Sequence, residues 1–512
     1  MAKKNFYITT PIYYPSASPH MGHAYSSIVA DVIARFKRLD NFNVFFLTGT
    51  DEHGQKIQRA AEAANKKPLD FCNDISKTFK DLTKILNLSN DDFIRTTEDR
   101  HHVAVKALLD KLQSNGDIYL SKYKGWYSIS DEAYYNEDEV IEKDGNKVSS
   151  LSGSKVDWVE EESFFFKLSA WSEKLLNFYE QNPEFIQPKS RKNEVINFVK
   201  NGLKDLSISR KSFTWGIKVP NNNSHVIYVW LDALTNYLSA VNYPELNHTK
   251  YKNFWPANVH IIGKDILRFH AIYWPAFLLA ANIKPPKRVY GHGWILSGEE
   301  KMSKSKGNIL DPLEMIKKYG LDQLRYYLLK EVSLGNDGNI SKDNIESCIN
   351  SDLANNYGNL CQRAFSFVEK NCDNKIAEPS DFHEEDTKLL NSINNSIDTI
   401  KLMIDNQKLT EYVKFIVDKA FETNKYFNDQ SPWSKKDDKK RLNTIMYVTL
   451  EIIRKISILL LPIIPNSSEK VLSCLNVNIK NCTIESINNN FFNKPKTKLN
   501  KMKILFKKIE NK

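Results

Sequence analysis

The chain has 512 residues, 41% of them hydrophobic, and a formal net charge of +10. That length is too great for one core and predicts two to four folding units, while the composition excludes large-scale disorder. The charge suits a polyanionic partner such as nucleic acid, and it suits a lysine-rich solvated surface equally well.

In chain order, the β-branched and aromatic run Asn5 to Pro11 predicts a strand. A loop with Pro15 and Pro19 follows, and then Ala24, Ile28, Val32, Ile33 and Phe36 recur at helical spacing. VFFL, from Val44 to Leu47, predicts a second buried strand. Strand, helix and strand so close together make a βαβ unit, and hence a parallel sheet. Helical patterns cover Gly54 to Lys66 and Pro68 to Leu86. From Asp117 to Val156, short aromatic segments and a Gly/Ser/Asp-rich stretch predict a small antiparallel β insertion. The α/β rhythm returns with the strand NVHIIG from Asn258, a helix from Ile266 to Ala281 and the strand KRVYGHGWIL. A Lys/Ser loop and a helix from Pro312 to Lys330 come next. Beyond Ile340, successive amphipathic patterns predict an all-α domain, closed by a basic, surface-draped tail from Asn493. The fold class is α/β: a Rossmann-like parallel-sheet domain with a small β-rich insertion, followed by an all-α helical bundle. The expected limits are residues 1–116 and 226–340 for the two halves of the sheet domain, 117–225 for the insertion and 341–512 for the bundle.

The six cysteines are scattered, with no C-x-x-C pair, which predicts a reducing, cytoplasmic setting and no zinc site. The first residues, MAKKNFYITT, lack the apolar core of a signal peptide. The run Ile456 to Pro465 is too short to cross a bilayer and reads as a buried helix end, so no membrane partner is expected.

Two motifs carry chemistry. His20, Met21, Gly22 and His23 stand after the first strand and at the start of the first helix, beyond the carboxyl end of a parallel strand where ligands bind. A helix start offers unpaired N–H groups, a glycine lets a phosphate approach the backbone, and the imidazoles of His20 and His23 can donate to phosphate oxygens. Lys301 to Asn308 reads KMSKSKGN, in which lysines alternate with Met302, Ser303 and Ser305. Such a loop suits closure over a polyphosphate, with Lys301 and Lys304 neutralising a departing pyrophosphate. Asp51, at the end of the second strand, faces the ligand side of the sheet.

Together these motifs resemble the HIGH and KMSKS signatures of class I aminoacyl-tRNA synthetases. TGTDEHGQKIQRAAE, YVWLDALTNYLSAV, HIIGKDILRFHAIYWPAFLLA and DLANNYGNLCQR are similar to the methionyl-tRNA synthetase family, from nearly one end of the chain to the other. The resemblance implies ATP binding by His20, Gly22, His23, Lys301, Ser303 and Lys304, with His20, His23, Lys301 and Lys304 catalytic. It implies a methionine side-chain pocket of Ile12, Tyr14, Trp230, Ala233, Leu234, Tyr237, Ile266 and His270. Asp51 would pair with the α-ammonium. The family often has proline where this chain has Leu234. Asn359, Arg363 and Trp433 match its anticodon readers; Asn359 and Arg363, four apart, share a helix face.

The implied reaction is attack of the methionine carboxylate on the α-phosphate of ATP, with Mg²⁺ held mainly by substrate and water, and then transfer to the 3′ end of tRNA. Relatives often carry a zinc knuckle in the insertion. Here GWYSISDEAYY and SLSGSKVDW hold no cysteine, so a metal-free insertion is expected. The chain ends soon after the bundle, which leads us to expect a monomer. The rival readings are a synthetase for leucine, isoleucine or valine, a small-molecule adenylyltransferase, and a catalytically silent RNA-binding paralogue. The first needs a large editing domain, for which Thr97 to Tyr228 is too short. The second needs no helical domain. The third sits poorly with both histidines and both lysines intact.

Overall fold

A computed structural model describes residues 3–297, 300–301, 310–488 and 493–510, with residues 297, 300 and 301 given by their backbone alone. The chain divides into two compact units. One comprises residues 5–30 and 45–292; the other comprises 1–4, 31–44 and 293–512.

In the first unit the core element is a six-stranded sheet. Its first strands are β1 (Asn5–Tyr13), β2 (Asn43–Thr50) and β3 (Asp92–Arg95). The order is β3, β2, β1, Val259–Gly263, Val289–His292 and Ile186–Gln187. β1 pairs in parallel with Val259–Gly263, Ile8 opposite Val259, and the next two pairings are parallel as well. Burial on both faces explains why β1 and β2 read as continuous apolar runs rather than alternating ones. Helix α1 (Met21–Leu39) follows β1, and α2 (Gln55–Ala63) and α3 (Pro68–Ile85) follow β2.

The insertion is built on strand β4 (Ile118–Ser128), which runs antiparallel to Asp157–Phe166 from Ile118 opposite Phe166 to Tyr127 opposite Asp157. A hairpin, Val140–Lys143 with Asn146–Ser149, turns at Asp144 and Gly145, both at positive φ, as an Asp-Gly pair in a two-residue turn requires. Residues 117–225 hold more than this sheet. They include two helices, Ser172–Gln181 and Lys189–Lys200, and the strand Ile186–Gln187 that joins the edge of the parallel sheet.

Two expectations of regular structure fail for stated reasons. The interval Ile266 to Ala281 is not one α-helix: a 3₁₀ turn, Lys264–Ile266, precedes a π-turn, Phe269–Tyr273, and then the α-helix Trp274–Ala280. Pro275 has no N–H to give to the carbonyl four residues back. That carbonyl, Ala271 O, accepts instead from the Tyr179 hydroxyl at 2.6 Å. KRVYGHGWIL is likewise two strands, Val289–His292 in the parallel sheet and Ile295–Ser297 in a three-stranded sheet with Glu300–Lys301 and Gly338–Ile340. The break falls at Gly293, where a Cβ would lie 2.1 Å from the Asn336 carbonyl oxygen.

The second unit is mostly helical from Pro312 onward. Its longest helices, Leu409–Gln430 and Lys439–Leu460, pack against each other, the latter with a nearly continuous buried surface. Arg325, fully buried, donates to Asp31 Oδ2 at 2.6 Å and to the carbonyls of Pro462 and Ile463. Such a buried pair fixes registry more than it adds stability. The tail departs from the surface-draped expectation, since Leu499 and Phe506 are buried and Leu499 N–H donates to Asn374 O. Among the described residues no helix is long and apolar enough to cross a membrane.

Candidate functional site

The site in the first unit starts where β1 gives way to α1. The His20 main-chain N–H donates to His23 Nδ1 at 3.1 Å, and the Gly22 N–H donates to His20 Nδ1 at 3.1 Å. Both Nδ1 atoms therefore accept, which places the ring proton of each neutral imidazole on Nε2, as a donor. The two rings lie 3.8 Å apart between centroids. His23 is held from behind by Tyr13, 4.8 Å away edge-on, and by Phe79 at 5.2 Å. Desolvation, and then the neighbouring His20 ring, which disfavours a second positive charge beside it, push the His23 imidazole well below its ordinary value. Its Nε2–H thus acts as a neutral donor. Two neutral N–H donors at a helix start suit phosphate oxygens whose charge grows during reaction.

Asp51 follows directly on β2, and its main-chain N–H donates to Tyr13 O at 2.9 Å. Its side chain is buried, and Oδ1 has no hydrogen-bond partner among the described residues. The buried Tyr14 hydroxyl also lacks one. Burial, then the charges of Asp232 and Glu132, push the Asp51 carboxyl well above its usual range. A buried carboxylate with an unfilled acceptor and like charges beside it is a place for a cation.

Next to it lies an apolar cluster. Trp230, Leu234 and Tyr237 belong to one buried core cluster against which Ile12, Tyr14 and Ile266 pack. Ala233 is also buried. Trp230 stacks on Phe269 at 3.7 Å and 5°, and its Nε1–H donates to Glu132 O at 3.1 Å. His270 Nδ1 is 3.0 Å from Ile266 O, and His270 Nε2 is 2.8 Å from the Tyr237 hydroxyl. A carbonyl only accepts, so Nδ1 carries the proton and Nε2 accepts from Tyr237. Desolvation lowers His270 to about 4, so this neutral form holds at pH 7. The pocket is aromatic-walled, with the polar atoms of Trp230, Tyr237 and His270 already paired, and fits a flexible apolar chain bearing a soft atom.

All these predicted residues from His20 to His270 fall in the first unit. Lys301 closes a short antiparallel hairpin opposite Leu296, described by its backbone alone, and Ser303 and Lys304 lie outside the described residues. In the second unit, Arg363 sits over the Phe427 ring at 4.9 Å and donates to Asn428 Oδ1 at 2.6 Å. Trp433 meets the same Phe427 ring at 6.0 Å, edge-on, and is 46% exposed. Asn359 is exposed at the start of the helix Asn359–Asn371 that carries Arg363.

Sequence reasoning missed Glu132, His53, His101 and Asp232. Glu132 has φ of 48° in the insertion, is buried, and its Oε1 accepts from Lys56 N–H at the start of α2. A Cβ on Gly54 would meet that carboxylate at 2.9 Å. The only sequence signal was position: His53 and Asp232 stand inside the quoted stretches TGTDEHG and YVWLDAL.

A family model described as tRNA synthetases class I (M) matches residues 6–144 and 142–365. One described as the anticodon binding domain of methionyl tRNA ligase matches residues 376–512. The methionine–tRNA ligase of Rhizobium meliloti is 50% identical over 474 residues, 92% of each chain. That of Brucella suis is 48% identical over 479 residues, 93% of each. The solved Mycobacterium tuberculosis methionyl-tRNA synthetase in complex with methionyl-adenylate superposes with a TM-score of 0.96 at 44% identity, over 98% of this chain and 99% of that one.

Proposed function

The chain belongs to the methionyl-tRNA synthetases of class I, and on that premise we propose how its own residues activate L-methionine with ATP and charge tRNA. One observation supports the amino-acid half most strongly: the unfilled Asp51 oxygen beside the Trp230, Tyr237 and His270 pocket. In this reading Asp51 takes the α-ammonium, and Ile12, Tyr14, Trp230, Ala233, Leu234, Tyr237, Ile266 and His270 surround the thioether. The carboxylate is already ionised at pH 7 and attacks the α-phosphate without a general base. Positioning and charge stabilisation then supply catalysis. His20 and His23 donate to the triphosphate through Nε2–H, with Gly22 beside them. Lys301, Ser303 and Lys304 act on the leaving pyrophosphate. The bond from the α-phosphate to the β-phosphate bridging oxygen breaks as the carboxylate oxygen bonds to phosphorus, giving methionyl-adenylate and pyrophosphate. In the second step a hydroxyl of the terminal ribose of tRNA attacks the activated carbonyl, AMP leaves, and the proton goes to its phosphate.

The donors at the helix start are imidazoles and N–H groups, which are not the hard oxygen ligands that Mg²⁺ prefers. The ion would enter as part of the MgATP substrate, and no step is assigned to it. The same reading gives residues 1–116 and 226–340 the catalytic role, with 117–225 contributing an edge strand and Glu132. Residues 341–512 read the anticodon of methionine tRNA, initiator and elongator, through Asn359, Arg363 and Trp433. It has the protein working in the cytoplasm as a monomer.

Charging transcripts tests it. A methionine tRNA transcript should accept labelled methionine, and replacing its anticodon should cut kcat/KM by roughly 10²-fold or more, since each lost base contact is worth ~1–3 kcal/mol. Equal charging of both transcripts would refute the anticodon half.

A further inference from the structure

The helix Val229–Leu234 carries three pocket residues, Trp230, Ala233 and Leu234, and among them a fully buried acid, Asp232. Asp232 Oδ2 lies 2.7 Å from His53 Nδ1, and Oδ1 lies 2.7 Å from His101 Nε2 on the helix Asp99–Ser114. An ionised carboxylate only accepts, so both imidazoles donate to it. His53 stands two residues after Asp51, so the pairing of its ring with Asp232 holds the backbone that carries the Asp51 carboxylate. Glu52, between Asp51 and His53, is pinned separately. It takes both Arg95 Nε at 2.6 Å and Arg95 Nη2 at 2.9 Å, and accepts from Thr97 Oγ1 at 2.6 Å. The turn 51–53 is thus held on both sides, and Asp51 is the member left with an unfilled oxygen.

We propose that Asp232 is a positioning residue that, through His53, sets the distance between the ammonium anchor Asp51 and the thioether pocket on its own helix. This rests on the reading of Asp51 given above. Two ends of one small ligand gain from each other only when their sites are held at the right spacing. Releasing the link should cost the ammonium contact while leaving the apolar contact nearly intact.

The electrostatics give a second, independent readout. Burial pushes Asp232 up, but His53 and His101 overcome it and hold the carboxyl well below its usual range, so its charge is permanent. Asp51 is raised by burial, then by the charges of Asp232 and Glu132. Tyr237 and Cys72 also lie in its field, and the His102 ring stands 5.5 Å from that of His53. Asp51 must be ionised to hold an ammonium. Removing the Asp232 charge lets the Asp51 carboxyl fall toward its ordinary value, so the acid limb of methionine binding moves to lower pH.

The test uses the full chain, with L-methionine and 4-(methylthio)butanoate, the same thioether acid without the amino group, as the two ligands. Binding is measured by calorimetry from pH 5 to 8. Asp51→Asn should weaken methionine and spare the deamino acid. Asp232→Asn should do the same, by roughly tenfold or more, the scale of a hydrogen bond to a charged group, with its acid limb shifted downward. His53→Leu leaves Asp232 paired to His101 and serves if Asp232→Asn does not fold; it should show the same selective loss. Equal weakening of both ligands with an unmoved acid limb, or no weakening, would make Asp232 merely structural and overturn the proposal. If Asp51→Asn itself fails to separate the two ligands, the Asp51 reading falls and takes this inference with it.

Discussion

A Cβ on Gly22 would lie 2.9 Å from His20 Cε1 and 3.0 Å from His20 Nδ1. The glycine is needed first for His20's own ring, which folds back to accept the Gly22 N–H. Gly22→Ala should therefore displace a flexible imidazole rather than disturb the core. We expect kcat/KM for methionine activation to fall by roughly 10²-fold, the value of one transition-state donor, with thermal stability almost unchanged. Stopped-flow or exchange rates beside a melting curve check both halves. At this scale the placement of Gly22, His20, His23 and Asp51 was legible, because it follows from where a strand ends and a helix starts. Asp232 and Glu132 were not. The Asp232 partners stand 179 and 131 residues away in the chain, and no local pattern marks a pairing that only folding creates.

Elements were legible in kind and less so in their ends. The stretch at Ile118–Ser128 read as strand because its clustered aromatics suit a pleated surface. The Ile266 to Ala281 pattern read as one helix because periodicity cannot register that Pro275 lacks an N–H. The tail read as draped because its many lysines hide Leu499 and Phe506 from a compositional view. The insertion gives a prediction at this scale. Asp131 accepts from Ser152 Oγ at 2.5 Å, from Ser154 Oγ at 2.7 Å and from Tyr135 OH at 2.7 Å. This knot joins the turn that leads to Glu132 to the loop Ser149 to Ser154 by hydrogen bonds alone. Asp131→Ala should lower stability by about 1–3 kcal/mol in a denaturant titration, through hydroxyls that lose their shared acceptor. Prolonged dialysis against a chelator should leave both the melting temperature and the methionine activation rate of the wild-type chain unchanged.

For the whole molecule, the net charge of +10 said little by itself, because a solvated lysine surface and a nucleic-acid face give the same sum. Placement adds what the sum cannot: Arg363 and Trp433 gather on one Phe427 ring in the helical unit, while the buried acids Asp51, Asp232 and Glu132 lie in the parallel-sheet unit. In the proposed mechanism the parallel-sheet unit selects methionine and joins it to AMP. ATP–pyrophosphate exchange by the purified full chain, run without tRNA over all twenty amino acids, tests it most directly. Exchange is expected with methionine, and background with the other nineteen. Exchange driven by leucine, isoleucine or valine, or none with methionine in a folded sample, would contradict it.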